Sequence, residues 1–498
     1  VGMLESPPWL LWSHTTILVI TCLQSTAFLY CVLSQYLRKL RCQAKQPLCK
    51  PPPLDSYPPV SLIVPCYLPN EVSIIEATLN HVLRLEYPGK VTVWCVYNTP
   101  DPMPEAEADL RRLAKGPMPA QRALRVVNAS GQSTSKAENL NIIVSQLSDP
   151  IISIYDADHR PEPGALKLLV ETQRHRDADM VQGSIAIRTR PNLLAKFVCA
   201  ETFAQHFVYF PMVAQICDTG FYGGSNAVWK TDTLRRYTFR KRMLTEDIDL
   251  SSRAIFDGAR LHLCPEARSS ELPTHDFAAL WKQRRRWAIG WDQVAIQTFY
   301  TFCGTLCTGR TRVVSTDGRA EAVRARQDSG TPTSELTFEG KKRVLLLFPL
   351  QRWILFFLTF FVAIISPVIS LFYDVVVVEH SQLAATAAFL RIYLFLTMAC
   401  IVVCAMGHAY IQERNTEHVL WVLLFYMSAP VYALWNFGLF ANSITSIVTG
   451  TVGDWYVTLR AVNSEVSLES LATVKAKIGA RTGSTADLHG MGHLSDLL

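Results

Sequence analysis

A chain of 498 residues is too long for one ordinary domain, and 49% hydrophobic against 18% charged residues suit a membrane protein with a sizeable soluble part. The net charge of +6 is mild and Lys and Arg form no long unbroken blocks, which argues against nucleic acid as a partner.

The first element is an apolar run over residues 9–33, followed by Arg38, Lys39, Arg41 and Lys45. The run is too long for the apolar core of a signal peptide, and its basic residues come after it rather than before. It therefore reads as a retained transmembrane helix, residues 1–37. By the positive-inside tendency, the domain after it lies in the cytosol. Residues 38–59 are a basic linker rich in proline (Pro47, Pro51, Pro52, Pro53, Pro58 and Pro59), which disfavours helix and inner strand.

A domain over residues 60–277 comes next. VSLIVPCY (60–67) and VTVWCVYN (91–98) are apolar and β-branched and read as buried strands, with LRVVN (124–128) and IISIYDAD (151–158) after them. Between them, NEVSIIEATLNHVLRL (70–85), EAEADLRRLAK (105–115) and SKAENLNIIVSQL (135–147) read as helices. Alternating helices and nearly continuous apolar strands predict an α/β fold on a mostly parallel sheet. Ligands of such sheets collect at the carboxyl ends of the strands, where Tyr67, Asn98 and Asp156 fall.

Residues 278–343 hold an amphipathic helix, WKQRRRWAIGWDQVAIQTFY (281–300), then a polar loop. Trp281, Trp287 and Trp291 suit a membrane interface. Residues 344–452 are a transmembrane region of about three or more segments: 354–372, 388–407, and 419–450. The last is one span or a broken re-entrant pair, with Pro430 and Gly438 as sites for a break. Residues 453–498 form a tail. The thirteen cysteines have no CxxC pair and read as reduced thiols, although Cys303 with Cys307, or Cys400 with Cys404, are close enough in sequence to pair.

Three short stretches carry chemistry. In YDADHRP (155–161), Asp156 and Asp158 repel each other unless a cation sits between them, and both can reach one hard divalent ion. A solvated pair of turn acids is the plain alternative. In MLTEDIDLSSRAI (243–255), Thr245 reads as a helix cap, with Glu246 and Asp247 in the first turn where the helix dipole favours negative charge. The pair also suits a carboxylate base held beside a second acid. In KQRRRWAIGW (282–291), the arginines suit either a membrane anchor or bidentate binding of phosphate, and indole suits a sugar ring.

YDAD, TED and QRRRW, in that order within one α/β domain flanked by apolar helices, resemble the family 2 glycosyltransferases. The likeness is nearest to the processive polysaccharide synthases: cellulose synthase-like, mannan, chitin and hyaluronan synthases. It spans roughly residues 56–290 and the helix layout.

The resemblance implies the GT-A nucleotide-sugar-binding fold. It implies that Asp156 and Asp158 hold Mg²⁺ or Mn²⁺ on a UDP diphosphate. Lys136 and Gln182 would lie beside the donor, and Asp247, with Glu246 next to it, would supply the base. Gln283, Arg286 and Trp287 would bind diphosphate and acceptor sugar, and Gly223, Gly224 and Ser225 of GFYGGSNAVW would line the acceptor site. The family has an Asp at the end of the second strand; here Asn98 stands in that place, or Asp101 replaces it. GDWYVTLR (453–460) resembles a family segment whose Trp455, Thr458 and Arg460 would gate the donor site or anchor the interface.

The implied reaction is inverting transfer from a UDP-sugar, UDP-glucose first, onto a growing β-linked polysaccharide, coupled to export. A non-processive, ceramide glucosyltransferase-like glycolipid synthase and an inactive subunit of a synthase complex are the rivals. Partners would be the UDP-sugar, the polysaccharide and the lipid bilayer of the plasma membrane or Golgi, with homo-oligomerisation left open.

Overall fold

The computed structural model describes residues 8–44, 51–308, 346–355 and 382–452, with isolated positions between 343 and 365. The polar stretch after 308, most of the 354–372 segment and the GDWYVTLR motif lie outside the described residues.

The sheet is built from β1 (Val60–Tyr67), β2 (Val91–Asn98), β3 (Arg122–Asn128), β4 (Ile151–Ile154), β5 (Arg160–Pro161), β6 (Met180–Ile187), β7 (Ala227–Lys230) and β8 (Leu261–Glu271), in the order β3-β2-β1-β4-β7-β6-β8-β5. The half nearest the N-terminus is parallel: β1 runs in register with β2 from Val60↔Val91 to Tyr67↔Asn98, and with β4 from Val60↔Ile151. β7 enters antiparallel between β4 and β6, and β8 then runs parallel to β6.

Side chains of a strand alternate between faces. Leu62 and Val64 accordingly join one core with Leu79 and Leu166, while Ile63 joins the other with Leu140, Trp229 and Leu250. Burial on both faces explains why the strands read as unbroken apolar runs.

Around the sheet lie α1 (Pro8–Ala44), α2 (Ile75–Val82), α3 (Pro104–Lys115), α4 (Lys136–Val144), α5 (Ala165–Arg176), α6 (Leu193–Phe203), α7 (Phe210–Cys217), α8 (Glu246–Phe256), α9 (Phe277–Thr308), α10 (Gln382–Glu413), α11 (Thr416–Met427) and α12 (Ala429–Val448). A π-helical turn, Ala204–Tyr209, joins α6 to α7. The helix expected over 70–85 is split. Glu71 ends a first turn, and its carboxylate accepts the Tyr67 N–H at 2.8 Å.

Strand β4 is shorter than expected. It stops at Ile154, and the His159 N–H donating to Asp156 O at 3.0 Å makes YDADH a turn rather than a strand end. The 419–450 segment is two helices. α11 ends at Met427, and α12 starts at Ala429 with Pro430 in its first turn, where a missing N–H costs nothing. Gly438 does not break α12.

Three described helices are long and apolar enough to cross a membrane by length and composition: Trp12–Arg41, Ala385–Glu413 and Ala429–Val448. α1 and α10 pack in parallel. Cys22 Sγ donates to Leu390 O at 3.4 Å, Thr26 Oγ1 bonds the Tyr393 hydroxyl at 2.7 Å, and Lys39 Nζ meets the His408 ring at 2.8 Å. The core that holds Ile63 continues into Val32 of α1, Ala405 of α10 and Val422 of α11, so these helices sit on the domain directly. Among the described residues the cysteines are free, Cys303, Cys400 and Cys404 included.

Candidate active site

The carboxyl ends of β1, β2 and β4 open onto one cavity of about 2450 Å³. Into it the chain brings Asn98, Lys136, Asp156, Asp158, Gln182, Gly223, Gly224, Ser225, Glu246, Asp247, Gln283, Arg286 and Trp287. Residues far apart in sequence thus line one cavity.

The Asp156–Asp158 turn is fixed through its backbone. The Asp156 N–H donates to Ser225 Oγ at 3.1 Å, Thr78 Oγ1 donates to Ala157 O at 2.6 Å, and Arg188 Nη1 donates to Asp158 O at 3.2 Å. Asp156 Oδ1 lies 2.5 Å from Lys136 Nζ, which also donates to Gly224 O at 2.9 Å. Burial pulls the Lys136 ammonium down, but the charges of Asp156, Glu246 and Asp247 outweigh it and hold its pKa above the usual value.

Asp247 is set in the first turn of α8, and its Oδ1 accepts the Ile248 N–H at 2.9 Å. Burial first, and the neighbouring Glu246 second, push its carboxyl up to about 7, against the pull of Lys136, Ile248 N–H and Arg286. Asp249, in the same turn, is bound by Arg253 Nη2 at 2.8 Å and Arg240 Nη1 at 3.4 Å, a structural pairing. Thr245 stands at the cap position without giving a side-chain capping bond, contrary to expectation. Helix α9 crowds its hydroxyl instead: a Cβ at Gly290 would lie 2.4 Å from Thr245 Oγ1.

Helix α9 ties the motifs together. Arg286 Nη1 donates to Leu244 O at 3.2 Å, and Gln293 Oε1 accepts the Leu244 N–H at 3.2 Å. Trp281 and Trp291, expected at a membrane interface, pack on protein rings: Trp281 on Trp435 at 4.7 Å, Trp291 on Phe221 at 5.7 Å. Gln182 Oε1 accepts the Gly223 N–H at 2.9 Å, and its Nε2 donates to Ser225 O at 2.8 Å, so this residue braces the glycine-rich wall.

At the end of β2 it is Asn98 that reaches the cavity, with its Oδ1 accepting from Asn139 Nδ2 at 2.8 Å; Asp101 is exposed and does not line it. Sequence reasoning missed Glu71, a further carboxyl in the cavity, near Asp156 and Asp158. Its pKa is pushed up to about 8 by burial and by the charges of Asp158 and Asp156. Its place just past the end of β1 was the available signal.

Residues 58–290 match the family described as "Glycosyltransferase like family 2". This segment is a family 2 glycosyltransferase domain. Its sheet is parallel through β3, β2, β1 and β4, with β7 antiparallel between β4 and β6. The chain is 25% identical over 268 residues to the poly-beta-1,6-N-acetyl-D-glucosamine synthase of Staphylococcus aureus (strain COL), and 25% identical over 261 residues to that of Staphylococcus epidermidis. The first match covers 50% of this chain and 58% of that synthase, and the second 48% and 56%, so the likeness spans less than two thirds of the relatives' length.

Among solved structures, the mannosyltransferase PcManGT from Pyrobaculum calidifontis with GDP-Man and Mn²⁺ aligns at TM-score 0.41 and 18% identity, over 85% of this chain and 99% of that one. S. aureus TarS 1-349 with UDP-GlcNAc aligns at TM-score 0.36 and 12% identity, over 74% and 90%.

The glycosyltransferase domain presents cationic side chains, Lys136 and Arg286 among them, a carboxylate cluster and an indole around one space. That set can neutralise a diphosphate, take a proton and stack a sugar ring.

Proposed function

We propose that this chain transfers a sugar from a UDP-sugar onto a growing β-linked polysaccharide, with inversion. The observation that carries this reading is the single cavity shared by Asp156, Asp247, Arg286 and Trp287, which continues between the membrane helices to Gln24, Leu394 and Tyr432.

Asp247 takes the proton from the acceptor hydroxyl, whose oxygen attacks the anomeric carbon opposite the diphosphate. Lys136 and Arg286 offset the charge of the departing UDP. Gln283 and Trp287 meet the acceptor sugar. Asn98 hydrogen-bonds the uracil, for which an amide serves as well as a carboxylate.

Asp156 and Asp158, with Glu71 beside them, are an all-oxygen set of the kind that holds Mg²⁺ or Mn²⁺; burial first, and then the charges of Asp158 and Asp156, raise the Glu71 carboxyl. When bound, the ion supplies positive charge to the diphosphate.

The product named for the relatives makes UDP-N-acetylglucosamine the first donor to test, ahead of UDP-glucose. The basic residues Arg38, Lys39 and Arg41 after the first span support a cytosolic domain, in the plasma membrane or Golgi. A lipid acceptor is the second reading. The helix-lined end of the cavity favours it, because Phe28, Val32, Met398, Val402 and Met406 there are apolar.

The test is incubation of the purified full chain with labelled UDP-N-acetylglucosamine and UDP-glucose, with Mn²⁺ and after chelation. Label retained as polymer supports the first reading, and label moving as glycolipid the second. Asp247→Asn is expected to lower transfer by about 10²–10⁴-fold with UDP affinity unchanged. Transfer that survives that substitution, or chelation, overturns the corresponding assignment.

A further inference from the structure

Between α9 and the membrane helix α12 lies a buried cluster that the three motifs do not account for. The side chains of Arg284 and Glu201 are 8% and 3% exposed. Their contact has two prongs: Arg284 Nε donates to Glu201 Oε1 at 3.2 Å, and Nη2 donates to Oε2 at 2.6 Å. Glu201 Oε1 also accepts from the Tyr432 hydroxyl at 2.6 Å, and Tyr432 stands in the first turn of α12. On its other side, Arg284 Nη1 donates to Gln283 Oε1 at 2.8 Å. The guanidinium lies over the Trp287 ring, 4.2 Å from its centroid.

A guanidinium is always charged and offers its donors in a rigid plane. Here that plane is committed to internal partners, so Arg284 is a brace rather than a phosphate ligand. The brace acts on both neighbours. An Arg can only donate, so the Gln283 carbonyl is the end it holds, and the Gln283 amide nitrogen is the end left to serve the cavity. One face of the Trp287 indole lies against the cation. Trp287 also lines the cavity, so its remaining surface is what a sugar ring can meet.

We infer that Glu201 and Tyr432 are positioning residues for acceptor transfer: through Arg284 they set the plane of Trp287 and the orientation of Gln283, and they make α12 part of the acceptor apparatus. This rests on the transferase reading above. Donor binding depends on other groups, so the two activities should separate.

The experiment uses the full chain in lipid nanodiscs, as wild type, Tyr432→Phe, Glu201→Gln and Glu201→Asp. UDP affinity is measured by calorimetry. Labelled UDP-N-acetylglucosamine and UDP-glucose then report how much sugar reaches product for each UDP released. Tyr432→Phe removes one hydroxyl and keeps the ring, so it tests the idea even if Glu201→Gln fails to fold. Its sugar yield per UDP is expected to fall about fivefold, the effect of one lost hydrogen bond, with UDP affinity unchanged. Glu201→Asp, which keeps the charge, is expected to retain more of the yield than Glu201→Gln. A Tyr432→Phe chain equal to wild type in both readouts overturns the positioning role, as does a parallel fall of UDP affinity and yield. A wild-type chain inert toward both donors overturns the transferase reading, and this inference with it.

Discussion

At Gly224 φ is +84°, and a Cβ there would lie 2.7 Å from Asp247 Oδ2 and 3.5 Å from Lys136 Nζ. The sequence suggests a glycine-rich wall for close approach of a sugar, but the group that needs the space is the enzyme's own carboxylate. Gly224→Ala combines left-handed strain with a displaced Asp247. We expect transfer to fall about 10²-fold, the usual effect of misplacing a reacting group by an ångström, as read by kcat on the purified chain. Asp247 also has a pH signature. Its carboxyl is raised from 3.8 to about 7 by burial and Glu246. As the proposed base, Asp247 works unprotonated, so kcat/KM should climb as pH rises through about 7. The sign for stability is opposite. The folded chain holds this proton more tightly than the unfolded one, so the contribution is full below the unfolded value and is lost as pH rises through about 7. Asp247→Asn should therefore flatten that alkaline decline in a thermal-unfolding series across pH.

At the level of elements, α8 and α9 meet where side chains are smallest. A Cβ on Gly290 would fall 2.4 Å from Thr245 Oγ1 and 2.5 Å from its Cγ2. Thr245 thus spaces two helices as well as starting one, a role invisible in a stretch that reads as a cap. Gly290→Ala should lower stability by about 1–3 kcal/mol through overpacking, and adding Thr245→Ala should recover only part of the melting temperature, because the Thr245 Cβ itself would lie 2.8 Å from the new methyl. The strands and helices of the domain were legible because apolar period and proline placement are local. The split of the 70–85 helix was not; it falls where Ile74, at φ −120° and ψ −23°, leaves the helical conformation. The short β4 was not either, since the turn that follows it is held by side-chain bonds from Thr78 and Arg188, distant in sequence, to the carbonyls of Ala157 and Asp158.

Across the whole molecule, the cavity has a domain end rich in charge and a helix end that is largely apolar. α1 and α10 run in parallel, and their C-terminal ends lie toward the glycosyltransferase domain, where Arg190 Nη2 holds Glu413 at 2.6 Å and Lys196 Nζ meets Glu417 at 2.6 Å. If product passes along the helix end, filling it should hurt transfer and spare donor binding. Val402→Trp places a large ring on the α10 wall. We expect shorter or less product with unchanged UDP affinity, measured by product sizing and calorimetry. Unchanged product length would mean that the acceptor leaves by another route.

Residue types and their spacing were enough to mark the α/β domain, the apolar segments, and the acids, arginines and indole that line the cavity, because hydrophobic period and ionisable chemistry are carried by short stretches of chain. Sequence could not decide which of Asn98 and Asp101 faces the cavity, that Glu71 joins the aspartates, or that Glu201 and Tyr432 brace Arg284. Those are contacts between segments up to 231 residues apart, and only packing brings such segments together.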